Sequence, residues 1–388
     1  MATLEALIAT LPADPVAKGR AFEGLCHWFL THDPLYAGLI RQVWRWDDWP
    51  GRWGPDAGID LVAETHDGHT WAIQAKAYAA ATAVTKSDVD TFLSESNRAI
   101  FDFRLLIATT DRISHNARQV VRGQEKPASL LLLSDLALRL LDWPDDATGA
   151  PDQRPRAIPR HHQEEALDAI ERDVPEGGRG RVIMACGTGK TLVQLWAHER
   201  LASRRTLVLV PSLFLVAQSM QEWLANRQQP FEFLAVCSDD TVVPAGDSFV
   251  ADVSEIGIPV TTDHLRIREF LAGDGDRVIF STYQSSVRVA EALIDTPLRF
   301  DLVIADEAHQ LAGNASRDFS VMLDDALIPA TRRLFFTATP RYFTGGFAGT
   351  GVDRDLAVAS MDDEALFGPE VHRRSGPESR SRGAVSTP

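Results

Sequence analysis

Apolar residues recur every three or four positions over 17–30, and that spacing predicts an amphipathic helix. Two short runs, 59–63 and 70–76, have the length and β-branched content of strands, with a glycine turn at Gly68 between them. A helix follows over 86–100, then strands at 104–109 and 129–133 with a helix between them that carries Arg118 and Arg122. These elements predict a small mixed α/β domain over 1–142.

Residues 143–157 lose all apolar periodicity and are rich in Pro, Gly and Asp, so they read as a linker. From Ile158 the pattern changes. Apolar runs at 181–184, 206–211, 277–281, 302–305 and 333–337 alternate with helical spacing, which predicts a parallel sheet covered by helices on both faces, over 158–345. Residues 346–388 read as a connection and a disordered tail, because Arg373 to Gly383 is polar and has no apolar spacing. The expected class is therefore α/β throughout.

Composition adds limits more than detail. Hydrophobic residues make up 45% and charged residues 24%, as in soluble globular proteins. No run approaches the length of a membrane span, and no leader pattern opens the chain, so a cytoplasmic address without membrane contact is expected. Three dispersed cysteines suggest neither a disulfide framework nor a zinc site. The net charge of -15 means that any nucleic acid must be met by local groups.

Candidate chemistry lies in three strings. Met184-Ala185-Cys186-Gly187-Thr188-Gly189-Lys190-Thr191 follows a predicted strand and opens a helix, the arrangement that aims backbone N–H groups and a helix dipole at a phosphate. Gly187, Thr188 and Gly189 would form the cradle, Lys190 would reach the β- and γ-phosphates, and Thr191 would ligate magnesium. Met184 stands where the usual phosphate-loop pattern has its first glycine. Asp306-Glu307-Ala308-His309 ends another strand; Asp306 would hold magnesium and Glu307 would orient and deprotonate a water. Thr337-Ala338-Thr339 follows one strand later.

With these strings in that order, 158–345 resembles the first RecA-like lobe of superfamily 2 DEAD/DEAH-box helicases, in the branch of type I and III restriction-enzyme motors. The resemblance implies ATP and Mg2+ as cofactors, with His309 part of the nucleotide site. It implies adenine recognition by Gln163, within Pro159-Arg160-His161-His162-Gln163. It implies DNA contact through Pro211 and Ser212 and through Thr282, Tyr283 and Gln284, and a linking role for Thr337 to Thr339.

In the N-terminal domain, Asp60 and Gln74 are fourteen residues apart, which suits an acid and an amide side by side on a hairpin. Gln74 and Lys76 share a face. Acid, amide oxygen and ammonium together can hold magnesium and stabilise a phosphorane-like transition state. This domain resembles the Mrr-type PD-(D/E)xK restriction endonucleases, which implies Asp60 and Gln74 as metal site, Lys76 as water-activating group and Glu23 as accessory acid. Arg112, His115, Arg118, Arg122 and Lys126 form a candidate basic stripe, whereas Trp44, Trp46, Trp49 and Trp53 read as packing.

The combined expectation is a DNA-dependent ATPase and translocase lobe coupled to a Mg-dependent endonuclease in restriction or phage defence. Since no second-lobe pattern follows Thr339, the chain reads as truncated, by frameshift or as a genuine short form. The alternative is a non-catalytic ATP- and DNA-binding module that needs a separately encoded second RecA-like lobe or a restriction-system subunit. A metabolic ATPase or kinase would explain the first string alone.

Overall fold

The computed structural model describes residues 3–54, 58–144, 155–238, 253–312, 321–342 and 360–374. Two compact units result, one of Met1–Arg156 with Ala217–Ala225 and Val242–Val260, the other of Ala157–Val216, Asn226–Thr241 and Thr261–Pro388.

The first unit opens with helices α1 (Leu4–Ala9), α2 (Pro15–His32) and α3 (Pro34–Leu39). Asp14 caps α2 by accepting from Ala17 N, with Pro15 at the first helical position; Asp33 ends α2 and caps α3. A five-stranded sheet follows in chain order: β1 (Ile40–Arg45), β2 (Leu61–Thr65), β3 (Thr70–Lys76), β4 (Phe103–Ala108) and β5 (Ala128–Leu131). The first two pairings are antiparallel and the last two parallel.

Helices α4 (Lys86–Glu95), α5 (His115–Arg122) and α6 (Leu133–Ala137) complete the unit. α4 stops five residues short of the predicted end, because the buried Ser96 hydroxyl turns back onto the Phe92 carbonyl. β1 escaped the pattern for a physical reason: a bulge between Ile40 and Gln42 breaks the alternation. The tryptophans pack as expected. Trp46 meets Trp53 edge-on at 4.7 Å, and Trp49 lies 5.6 Å from Phe101. Trp143, read as the start of the linker, instead stacks on Phe29 at 5.7 Å and is buried in this unit. Residues 145–154 of the predicted linker lie outside the described residues.

Beyond Arg156 the chain runs α7 (His161–Asp173), β6 (Arg179–Met184), α8 (Lys190–Arg200), β7 (Arg205–Val210), α9 (Leu213–Asn226) and β8 (Glu232–Val236). It continues through β9 (Val260–Thr261), α10 (His264–Ala272), β10 (Arg277–Thr282), α11 (Ser286–Leu293), β11 (Phe300–Ala305), β12 (Ala330–Thr337) and β13 (Glu370–Arg374). The sheet order is β13-β6-β12-β11-β7-β10-β8-β9, and every neighbouring pair from β13 to β8 is parallel. Near-continuous apolar strands are expected only where both sheet faces are covered, and β7, β10 and β11 are buried almost end to end.

β13 corrects the expectation of disorder at Arg373 and Arg374. Both lie in a strand on β6, where Arg373 pairs with Ile183 and Arg374 with Met184. A polar sequence can form an edge strand because the ladder is made by backbone groups. Two arginines of β6 hold this returning segment: Arg179 Nη1 donates to the Leu366 carbonyl at 2.7 Å, and Arg181 Nε donates to that of Gly368 at 2.8 Å. The remainder of the predicted tail, 375–388, lies outside the described residues.

Candidate functional site

Because the strands are parallel, their carboxyl ends share one edge of the sheet, the edge where α/β proteins place ligands. β6 delivers the glycine turn and α8, β11 delivers Asp306 and Glu307, and β12 delivers Thr337 and Thr339. Gly187 and Gly189 adopt φ of +75° and +80°, which L side chains rarely accept, so the turn that opens α8 depends on them.

Lys190 Nζ lies 3.0 Å from Glu307 Oε1, with both groups largely shielded from solvent. Glu307 itself has a left-handed backbone, φ +48°, unusual outside glycine. Its backbone N–H donates to Asp306 Oδ1 at 2.9 Å. Asp306 is fixed on its other sides, donating from its backbone to Leu209 O at 2.8 Å, while its carbonyl accepts from the Tyr283 hydroxyl at 2.5 Å. Burial, then the charge of Glu307, pushes the Asp306 carboxyl up to about 6, while Lys190 pulls the other way. A buried acid penalised in this way is suited to a cation. His309 Nδ1 lies 3.2 Å from Glu307 Oε2 and 3.0 Å from Thr337 Oγ1, and Thr339 N donates to the same Thr337 oxygen at 3.2 Å. The second and third strings therefore form one connected network.

Gln163, expected at adenine, is brought to the phosphate loop. It is 4% exposed; its Oε1 accepts from Arg160 N at 2.8 Å and its Nε2 donates to Thr188 O at 3.0 Å. Both ends of the amide are engaged, so here Gln163 caps α7 and braces the phosphate loop. Gly189 makes that brace fit, since a Cβ there would collide with Gln163 Nε2.

The two loops expected at DNA are neighbours, because β7 and β10 pair, with Thr282 opposite Val210. Two side chains are corrected. Thr282 and Tyr283 are fully buried, Thr282 bonded to Ser285 Oγ at 3.0 Å and Tyr283 to Asp306 O, so neither side chain can grip a strand. Ser212 and Gln284 remain partly exposed, and Pro211 is buried.

In the first unit, the start of β2 brings Asp60 beside the Gln74 segment of β3. Asp60 N donates to Ile73 O at 3.0 Å, and Asp60 Oδ2 accepts from Ala75 N at 2.7 Å, which sets the acid beside Gln74. Gln74 is 4% exposed; its Nε2 donates to Gly58 O at 2.9 Å, while its buried Oε1 has no hydrogen-bond partner among the described residues. Glu23, on α2, has its carboxyl raised by burial and then by the charge of Asp60. An orphaned amide oxygen beside two mutually repelling acids fits a hard cation. Among the described residues no group of three or more His, Cys, Asp or Glu could hold a metal ion.

The basic stripe is partly spent within the same unit. Arg118 pairs with Glu255, and Lys126 Nζ donates to the carbonyls of Asn97 and Arg98. Sequence reasoning gave no notice of Gln194, a fully buried amide on α8.

The first unit thus has a five-stranded mixed sheet, and the second a parallel sheet with a glycine turn and an acid pair at its carboxyl edge. Comparison with known proteins adds a family match to each. Residues 31–153 match the Mrr-type restriction endonuclease family, and residues 156–342 match the family of the type III restriction enzyme res subunit. The chain therefore carries a restriction-endonuclease domain followed by a helicase-type domain. It is 31% identical over 215 residues to a probable helicase of African swine fever virus, Pretoriuskop isolate, covering 55% of this chain and 22% of the viral protein. The Malawi isolate's probable helicase is 31% identical over 186 residues, 48% of this chain and 20% of its own. The solved structure of the ATP-dependent type ISP restriction-modification enzyme LlaBIII bound to DNA superposes with a TM-score of 0.79 at 28% identity, over 96% of this chain and 25% of that one. This chain spans about a quarter or less of the length of these relatives.

Proposed function

We propose that this chain couples a magnesium-dependent DNA endonuclease to the ATP-binding lobe of a helicase-type motor, serving the restriction of foreign DNA. The observation that carries the reading is the convergence of Lys190, Asp306, Glu307, His309 and Thr337 on the edge where the phosphate loop opens.

Loop N–H groups of Gly187, Thr188 and Gly189 bind the phosphates, and Lys190 neutralises their charge. Thr191 and Asp306 would hold magnesium, which supplies charge neutralisation at the phosphates. Lys190 and Glu307 neutralise each other beforehand, so phosphate oxygens compete with Glu307 for the ammonium. Binding thereby releases Glu307 to orient a water and take its proton. Its bond to His309, and through that to Thr337, passes the change to the end of β12.

In the nuclease unit, Asp60 and the Gln74 amide oxygen would hold the metal, which supplies Lewis acidity at the scissile phosphate. Lys76, two residues along β3 on the same face, stabilises charge on the phosphate or activates water, with Glu23 as accessory acid. DNA as partner is supported by the DNA-bound LlaBIII relative. At the loops, Ser212, Gln284 and backbone N–H groups are the contacts. A cytoplasmic address suits a restriction function, and no helix among the described residues is long and apolar enough to cross a membrane.

A second reading, binding of ATP and DNA without turnover until a second RecA-like lobe or a restriction subunit joins, is favoured by the closed Lys190–Glu307 pair. DNA-stimulated ATP hydrolysis separates the two. The first reading expects hydrolysis that Lys190→Ala and Glu307→Gln abolish, and nicking that Asp60→Ala and Lys76→Ala abolish. The second expects ATP binding with turnover only after a second-lobe polypeptide is added. Hydrolysis indifferent to Lys190→Ala sinks the ATPase assignment, and nicking indifferent to Asp60→Ala sinks the nuclease assignment.

A further inference from the structure

Residues Ser254 to Ile258 lie, in sequence, between β8 and β9 of the helicase-type domain. In space they belong to the first unit, as part of Val242–Val260. Their contacts there are those of a seated peptide. Ile256 and Ile258 are each 2% exposed, although surface connections usually keep such side chains out of the core or do without them. Glu255 pairs with Arg118 of α5, and the Gly257 carbonyl accepts from the Tyr36 hydroxyl of α3 at 2.8 Å. Gly257 has φ of +80°, and a Cβ there would stand 2.7 Å from Tyr36 Oη and 3.4 Å from Leu131 Cδ1 of β5. Three elements of the unit, α3, α5 and β5, thus receive five residues from a distant part of the chain.

The receiving surface borders the candidate nuclease residues. Tyr36 is fully buried; its ring meets Phe29 of α2 edge-on at 5.3 Å and Trp71 of β3 edge-on at 6.4 Å. α2 carries Glu23, and β3 carries Gln74 and Lys76. The side chain that grips Gly257 therefore packs directly on both elements that bear the candidate site.

We infer that Ser254 to Ile258 form a latch with which the helicase-type domain completes the nuclease unit, holding Tyr36 and through it the setting of α2 against β3. The consequence for cleavage rests on the reading of Glu23, Gln74 and Lys76 as nuclease residues. Tyr36 and Gly257 are positioning residues in this account, since neither touches DNA or metal. A nuclease completed in this way is fully ordered only together with the stretch of chain that follows β8.

The test combines hydrogen exchange along the full chain with Mg2+-dependent plasmid nicking, in wild type, Gly257→Val, Glu255→Arg and the double variant Glu255→Arg with Arg118→Glu. Gly257→Val drives a branched side chain at the Tyr36 hydroxyl; Glu255→Arg sets two cations together, and the double variant restores their attraction. Exchange over α3, α5 and β5 should rise roughly tenfold or more in both single variants, with β10 and β11 unchanged, and the double variant should recover most of the protection. Nicking should fall in the same variants by roughly tenfold or more in kcat, with KM for the plasmid unchanged, and should return in the double variant. Unchanged exchange over α3, α5 and β5 in Gly257→Val overturns the latch. So does a rise of equal size in both units, which is general destabilisation. The expected exchange with wild-type nicking overturns the link to the site. A wild type that nicks nothing in Mg2+ defeats the nuclease reading, and exchange alone then decides for or against the latch.

Discussion

Asp306→Asn should stabilise the metal-free protein. The carboxyl is 5% exposed, and burial and Glu307 lift it from the ordinary 3.8 to about 6. That difference corresponds to about 3 kcal/mol between the protonation states, with no discount for solvent screening at so buried a group. The sign follows from the raised value. Below the unfolded pKa the acid is neutral in both states and costs nothing; as pH rises through the folded pKa, the folded state must hold a charge that the unfolded chain solvates better.

Stability associated with neutral Asp306 is therefore lost between about pH 4 and pH 6. Asparagine keeps an oxygen that can accept from Glu307 N and never carries the charge. In EDTA at pH 8, Asp306→Asn should raise the melting temperature by roughly 5–10 °C, and by next to nothing at pH 4. Added Mg2+ should narrow the gap by stabilising wild type alone. A variant that melts lower than wild type at pH 8, or a gap equal at both pH values, would refute the assignment of Asp306 as a buried acid under electrostatic penalty.

Other substitutions probe the remaining claims. Gln74→Leu removes the orphaned amide oxygen, so Mg2+ binding to the nuclease unit and Mg2+-dependent nicking should fall roughly tenfold or more, by calorimetry and plasmid assay. Retained metal binding would mean that Gln74 is no ligand. Gly368→Ala drives a Cβ into the Arg179 carbonyl at a residue with φ of +72°. The segment that ends in β13 should then detach, with a loss of about 2 kcal/mol or more and new protease cuts after Thr339; an unchanged melt and digest would contradict the constraint. Tyr283→Phe removes the hydroxyl from the Asp306 carbonyl and should cost about 1 kcal/mol without changing DNA affinity. A specific loss of DNA binding would restore Tyr283 to the interface.

What the sequence made legible were the features set by local chemistry. The glycine turn, the acid pair and Gln74 with Lys76 depend on short-range spacing, and the turn and acid pair lie at the ends of β6 and β11, with Gln74 and Lys76 both on β3. Burial was not legible in the same way. Thr282 and Tyr283 look like loop donors in sequence, yet pairing of β7 with β10 turns both inward. The burial of Gln163 was not legible either; a Cβ at Gly189 would collide with its Nε2, so the close approach depends on that glycine.

β13 was missed because its stability comes from arginines of β6, nearly two hundred residues earlier in the chain, binding carbonyls of the approach to it. Trp143 was missed because its partner Phe29 lies on α2.

The central claim is that the sheet edge formed by β6, β11 and β12 binds ATP through Lys190. Titration of a fluorescent ATP analogue into the full chain with Mg2+, for wild type and Lys190→Ala at matched folding, tests it most directly. Saturable binding by wild type, weakened roughly tenfold or more in Lys190→Ala, is the predicted result. Equal affinity in the two proteins, or no binding by either, would contradict the account.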